Sequence, residues 1–316
     1  MLARDADSIY WMSRYVERAE HVARLLMVTS SLLTDVGELA PNLQHRQWRS
    51  ILEIMRLDEL PPSREGLARR ILHHMTFDPA NPSGLFNCLT RARENARSIR
   101  ENISGEMWEC VNQIYWSIRG DDAAARFEES PDELLRAIVN GSMLFQGLTD
   151  QTLPHDQRWL FTQLAKYFER IDVTCRVIET KFNILRSAES KLEPALRNIH
   201  WTGVLRCCGA AESFRRAFVG EMEPARVASF LILLKDFPRG IGFCVDRACA
   251  AATSIRSGIG SSTMDAAERI LGRLSAQLQY AQMDEILEEG LPAYLREIQA
   301  AIAEASLAVQ RAYFLH

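Results

Sequence analysis

What this chain lacks excludes several chemistries. Its seven cysteines are odd in number and include no Cys-x-x-Cys pair, as expected of reduced packing thiols rather than a disulfide framework or zinc ribbon. No stretch approaches the ~20 apolar residues of a spanning helix. The most apolar one, Val227 to Leu234, is far shorter, and Met1 to Asp7 meets charge at once, without the apolar core of a leader. We therefore expect no membrane association and a cytoplasmic location. A dominant charge is missing too: a net charge of -4 and a pI near 6.0 give no general attraction to nucleic acid or anionic lipid. Lysine is scarce, with only Lys166, Lys181, Lys191 and Lys235 among 37 basic residues. The arginines that remain favour planar, bidentate pairing with carboxylates.

Familiar catalytic fingerprints are also absent. There is no HExxH, GxSxG or Walker loop, and neither Gly240-Ile241-Gly242 nor Gly258-Ile259-Gly260 follows a strand, as a nucleotide fingerprint requires. No His stands three residues after a Glu, so the helical di-metal pattern is missing, and His73-His74 would point to different sides of a helix. Cys207-Cys208 has no nearby His and reads as packing. We expect no cofactor and no metal.

What is present is helical periodicity. The hydrophobic fraction of 47% suffices for a real core. Leu85, Leu89, Ala92, Ala96, Ile99 and Ile103 recur at alternating four-three spacing, as do Leu295, Ile298, Ile302, Ala305, Val309 and Ala312. Each series predicts one helix. Ser130-Pro131-Asp132-Glu133 orders a capping hydroxyl, a first-turn proline and a reciprocal glutamate, and similar starts are expected at Ser63, Ser83, Ser104, Glu223-Pro224 and around Ser261-Ser262. Breaks are expected at Pro61-Pro62, Pro79 to Pro82, Gly120-Asp121-Asp122, Pro154, Phe237 to Gly240 and Gly258 to Gly260.

The chain also resembles itself. Tyr15, Glu17, Arg18, Glu20 and Arg24 align with Tyr167, Glu169, Arg170, Asp172 and Arg176. In the same order, Trp48 aligns with Trp201, Cys88 with Cys244, Arg91-Ala92 with Arg247-Ala248, and Ser98-Ile99-Arg100 with Ser254-Ile255-Arg256. The expected architecture is an all-α helical bundle, a single domain over 1–316. It is formed from two tandem diverged repeats, copy one about 5–120 and copy two about 155–282, with a C-terminal helix about 283–315.

Two polar clusters are candidates for chemistry. Glu17, Glu20 and Arg24 share one helical face with His21 beside it, and Glu169, Asp172 and Arg176 repeat that face, although Val173 replaces the histidine. Arg18 and Arg170 fall on the apolar side, where a guanidinium must snorkel or meet a buried carboxylate. The second cluster is Arg93, Asn95, Arg97, Arg100, Glu101 and Glu106, with three arginines on one face that repel unless an anion intervenes. Both clusters admit two readings: a constellation that orients a carboxylate or zwitterionic ligand by bidentate contacts, or an internal acid-arginine lattice that locks helices together. The internal reading is the favoured one.

Met1 to Glu20 resembles the opening motif of the bacterial alpha-E domain family. Ala92 to Arg97 with Arg100-Glu101 and Glu106-Met107-Trp108-Glu109 resembles that family's second signature, and Arg158-Trp159 with Phe168-Glu169-Arg170-Ile171 its third block, with a departure at Asp150 to Pro154. The resemblance implies a partner rather than a reaction. Members are encoded beside or fused to circularly permuted ATP-grasp proteins, often near transglutaminase-like proteins. It therefore implies an accessory protein that presents an amino-acid or peptide substrate to such a ligase through its Glu/Arg clusters. Tyr15, Arg18, Glu20, Arg24, Glu169, Arg170 and Arg176 would then join the second cluster in binding. Two other classes stay open: an enzyme on amide or peptide substrates with Glu17 as general base and a raised pKa, and a structural homo-oligomer scaffold. Under each, the two acid-arginine rows are expected to meet in a shared interior.

Overall fold

In a computed structural model of the chain, residues 1–36, 41–186, 194–218, 220, 222–259 and 265–314 are described. Among them every regular element is helical and no strand occurs. The chain is an all-α bundle, as its periodicity implies. Its first half runs through α1 (Ala3–Val36), α2 (Pro41–Met55), α3 (Leu67–Thr76), α4 (Leu85–Ser98) and α5 (Gly105–Arg119). Two connecting helices follow, α6 (Ala123–Glu129) and α7 (Pro131–Thr152). The second half comprises α8 (Gln157–Arg186), α9 (Pro194–Cys207), α10 (Ala211–Ala217), α11 (Pro224–Leu233), α12 (Ile241–Ile259) and α13 (Ala266–Tyr280), and the chain closes with α14 (Met283–Glu289) and α15 (Leu291–Tyr313).

The two longest helices, α1 and α8, pack on each other at the centre. Each has its own flanking partners: α4, α7 and α9 lie on α1, while α12 and α15 lie on α8. One continuous apolar core joins them, with Trp201, Tyr10, Phe145, Phe161 and Phe168 among its fully buried rings. Burial of this kind, at roughly 25 cal/mol per Å² of apolar surface, is the main stabilising contribution. Six of the cysteines are buried and Cys249 is partly so. Burial pushes the Cys88 and Cys244 thiols up to about 12.

Local chemistry explains most boundaries. Ser104 caps α5 by accepting a bond from the Met107 amide at 3.2 Å, and Asp265 caps α13 through the Glu268 amide at 2.8 Å. Pro224 opens α11 and Pro131 opens α7, yet the Ser130 hydroxyl caps nothing. Helix α9 ends where Gly209 takes φ +62° and the Ala210 amide reaches back to the Leu205 carbonyl. At the end of α2, Arg56 adopts the same left-handed turn at φ 54° and donates to the Gln299 amide oxygen.

Several expectations need correction. The stripe from Leu85 to Ile103 is not one helix: α4 stops at Ser98, a 3₁₀ turn covers Arg100–Asn102, and Ile103 is extended before the Ser104 cap. Ile99 and Ile103 stay buried because that turn keeps them aimed at the core. The C-terminal helix is broken at Gly290, whose φ of 106° lets the chain turn before Leu291-Pro292 open α15, and Ala312 at its end is exposed. Helix α3 begins at Leu67 rather than at Ser63. The expected start at Ser261-Ser262 lies outside the described residues.

Candidate functional site

The charged groups that the sequence placed on helix faces are buried where α1 meets α8. Glu17 and Glu169 are each about 2% exposed as side chains, and each takes its guanidinium from the other helix. Arg170 Nε lies 2.6 Å from Glu17 Oε1 and its Nη2 3.2 Å from Oε2. Reciprocally, Arg18 Nε lies 2.6 Å from Glu169 Oε1 and its Nη2 2.9 Å from Oε2. Two adjacent Glu-Arg pairs thus exchange partners bidentately, the geometry in which a buried pair best offsets its desolvation.

A second ring of donors closes the lattice. Arg14 Nε donates to Glu169 Oε2 at 2.8 Å, and its Nη1 reaches the Tyr10 hydroxyl at 2.9 Å. Gln146, from α7, donates to Glu17 Oε2 at 3.2 Å. Arg24 Nε donates to Glu20 at 2.7 Å, and Arg176 Nε to Asp172 at 3.0 Å. Arg239, from the turn between α11 and α12, places Nη1 2.9 Å from Glu20 Oε2 and 3.4 Å from Glu17 Oε1. The closer contact is an ion pair without hydrogen-bond alignment, so Glu20 Oε2, His21 Nε2 and Arg239 Nη1 converge without hydrogen-bond partners.

Electrostatics follow from this packing. Burial opposes the charge on Glu17, but Arg170 and Arg239 outweigh it and hold the carboxyl below its ordinary range. Burial likewise opposes ionisation of Glu20, while Arg239, His21 and Arg24 lower it to about 2. Glu169 lies lower still, because Arg18 and Arg14 overcome its burial. Burial pushes His21 down to about 4 against the pull of Glu20, so its imidazole is neutral at neutral pH. The raised Glu17 pKa expected of a general base is therefore reversed. A carboxylate held in its ionised form by two guanidiniums is a weak proton acceptor.

Glu17, Glu20 and His21 bring one donor atom each within 4.8 Å of one another, a spacing compatible with a metal ion. The Arg239 guanidinium already sits against both carboxylates. With Arg170 and Arg24 also on them, a further dication would meet net positive charge.

The second cluster does not join the first. Arg97 is exposed on α4, Arg100 and Glu101 on the turn that follows it, and Glu106 in the first turn of α5, whereas Glu17 is buried. Aromatic rings neighbour two of its arginines, Arg93 and Arg100, and a side-chain amide the first of them. Arg93 Nε donates to Asn112 Oδ1 at 2.7 Å and its Cζ lies 4.7 Å from the Tyr115 ring centroid, while Arg100 Cζ lies 4.9 Å from that of Trp108. Asn95 donates to the Arg91 carbonyl oxygen, and the Tyr15 hydroxyl accepts from Arg91 at 3.3 Å. Of the expected site residues, the shared interior therefore holds those of the first cluster, Glu17, Arg18, Glu20, Arg24, Glu169 and Arg170, with Arg14, His21, Gln146 and Arg239 beside them.

Arg14, Arg239 and Gln146 escaped sequence reading. Arg14 sits one turn before Arg18 and was legible as its repeat on the helix. Arg239 lay hidden inside a Pro-Arg-Gly turn, where Gly240 is needed because a β-carbon would come within 3.0 Å of the Leu234 carbonyl oxygen.

Residues 1–314 match the Alpha-E family, described as a predicted alpha-helical domain with a conserved ER motif. The chain belongs to this family. In this chain Glu17-Arg18 and Glu169-Arg170 are the Glu-Arg dipeptides that meet in the core. The chain is also similar to an uncharacterised protein of Mycobacterium bovis, 23% identical over 322 aligned positions, and to uncharacterised proteins of two Mycobacterium tuberculosis strains, 23% and 22% identical. Each alignment covers 95% of this chain and 35% of the relative, so the chain spans about a third of the length of these curated relatives. No solved structure matches it significantly. Among the described residues, no helix is long and apolar enough to cross a membrane.

Proposed function

We propose that this chain is a helical accessory module that presents an amino-acid or peptide substrate to a circularly permuted ATP-grasp ligase, within a system that forms or modifies amide bonds. A transglutaminase-like protein is a further partner on this reading. The observation that carries it is the closure of the buried lattice: Glu17 and Glu169 are each held ionised by guanidiniums of the chain itself. Such a core favours rigidity over proton transfer, leaving the exposed arginines of α4 and its following turn, Arg97 and Arg100, to meet other molecules. The greater length of the mycobacterial relatives fits a unit that works joined to other domains.

Reconstitution tests this directly. The purified chain is incubated with its cognate ATP-grasp protein, ATP and a mixture of amino acids, and products are read by mass spectrometry. The expected outcome is no product from the chain alone, an altered product or yield when both are present, and loss of the effect on charge reversal at Arg97. Product formation by the chain alone, or identical products with and without it, contradicts the proposal.

A further inference from the structure

Two surface grooves correspond to each other. The first, about 430 Å³, lies between α1 and α4, with Tyr15 on one wall and Arg91 and Ser98 on the other. The second, about 330 Å³, lies between α8 and α12, with Tyr167 facing Arg247 and Ser254. These are the positions that the internal sequence alignment pairs. Neighbouring pairs in the same grooves have diverged: Trp11 stands opposite Gln163, Glu94 opposite Ala250, and Asn95 opposite Ala251.

Packing accounts for the two tyrosines of the retained trio, which lie partly buried against the core, but not for its arginines and serines. Arg91, Ser98, Arg247 and Ser254 are exposed, and substitutions at such positions ordinarily change stability little. Neither Arg91 nor Arg247 forms an ion pair with a carboxylate among the described residues. Arg91 instead rests 5.7 Å from the Tyr15 ring centroid, and Arg247 5.1 Å from that of Phe243. With no carboxylate on it, each guanidinium keeps N–H groups for a planar anion beside its aromatic neighbour, Arg91 through the nitrogens other than the Nη1 that donates to the Tyr15 hydroxyl at 3.3 Å. Each groove also carries one acid: Glu94 in the first, and in the second Asp150, which accepts from Trp159 Nε1 at 2.9 Å and from Gln163 at 3.1 Å. An indole borders each, Trp11 in the first and Trp159 in the second.

We infer that these are two equivalent binding grooves for a zwitterionic amino acid or short peptide. The ligand carboxylate lies on Arg91 or Arg247, its ammonium group near Glu94 or Asp150, and its apolar side chain against the aromatic wall. The role of the grooves rests on the substrate-presenting reading above, but binding is a property of the isolated chain. Binding without any effect on a ligase would therefore sink that reading alone.

The probe is glycyl-L-phenylalanine, titrated into protein labelled with 5-fluorotryptophan and followed by ¹⁹F resonances assigned with Trp11→Phe and Trp159→Phe. Both the Trp11 and Trp159 signals are expected to shift. Arg91→Ala should weaken the Trp11 response at least tenfold and spare Trp159, Arg247→Ala should do the reverse, and the N-acetylated, C-amidated dipeptide should move neither signal. Thermal melting of each variant separates lost binding from lost folding. A silent or single responding indole at millimolar probe, a response that survives both substitutions, or an equal response to the capped peptide overturns the inference.

Discussion

Glu169 is the residue on which the core charge balance turns, because two guanidiniums from α1, Arg14 and Arg18, end on its one carboxylate. Removing it strands both in a low-dielectric interior. Glu169→Ala should therefore cost about 3–5 kcal/mol, read from urea unfolding midpoints; a loss below about 1 kcal/mol would match an exposed pair instead. His21 makes a pH prediction. Its folded value of about 4 lies below its ordinary 6.5, so between those values the unfolded chain takes up a proton that the folded chain refuses. Stability must then fall as pH drops from 6.5 to 4. The depressed Glu20 acts in the same direction lower down, its contribution being present above about 4.5 and lost as pH falls towards 2. His21→Val should flatten the upper part of this decline, between pH 6.5 and 5. An unchanged slope in the variant would refute the assignment.

At the scale of elements, Lys181 ties α8 to α2 without a carboxylate. Its ammonium donates to the Gln47 side-chain oxygen at 2.5 Å and to the Ser50 hydroxyl at 2.7 Å, and burial lowers it to about 8. The unfolded chain holds this proton up to about 10.5, so the group contributes a rise in stability as pH climbs from 8 to 10.5. The difference in unfolding midpoint between wild type and Lys181→Met should change across that range, and a constant difference would contradict it. The elements themselves were largely legible, because apolar period and caps are local: α15, α7, α11 and the α5 start at Ser104 all follow from neighbouring residues. The break after Ser98 was not, since a 3₁₀ turn keeps Ile99 and Ile103 on the same apolar side that a continuous helix would. The need of Arg18 and Arg170 for buried carboxylates could be read from helix phase. Which carboxylates they meet could not, because those partners lie more than 150 residues away. Arg239 left no local trace at all.

For the whole molecule, the exchange of partners between Glu17-Arg18 and Glu169-Arg170 makes α1 and α8 one unit, around which the other helices are arranged. On the proposed reading, recognition falls to the periphery, where the aromatic-arginine grooves and the exposed arginines lie. The core carboxylates Glu17 and Glu169 are committed to the fold by these pairs. The most direct measurement of the central claim is a double-mutant cycle on Glu17→Gln and Arg170→Gln, read by urea unfolding at pH 7. A coupling energy of about 2 kcal/mol or more is expected, with the double variant less damaged than the two single losses combined. Additivity within about 0.5 kcal/mol would mean that the two groups do not hold the helices together.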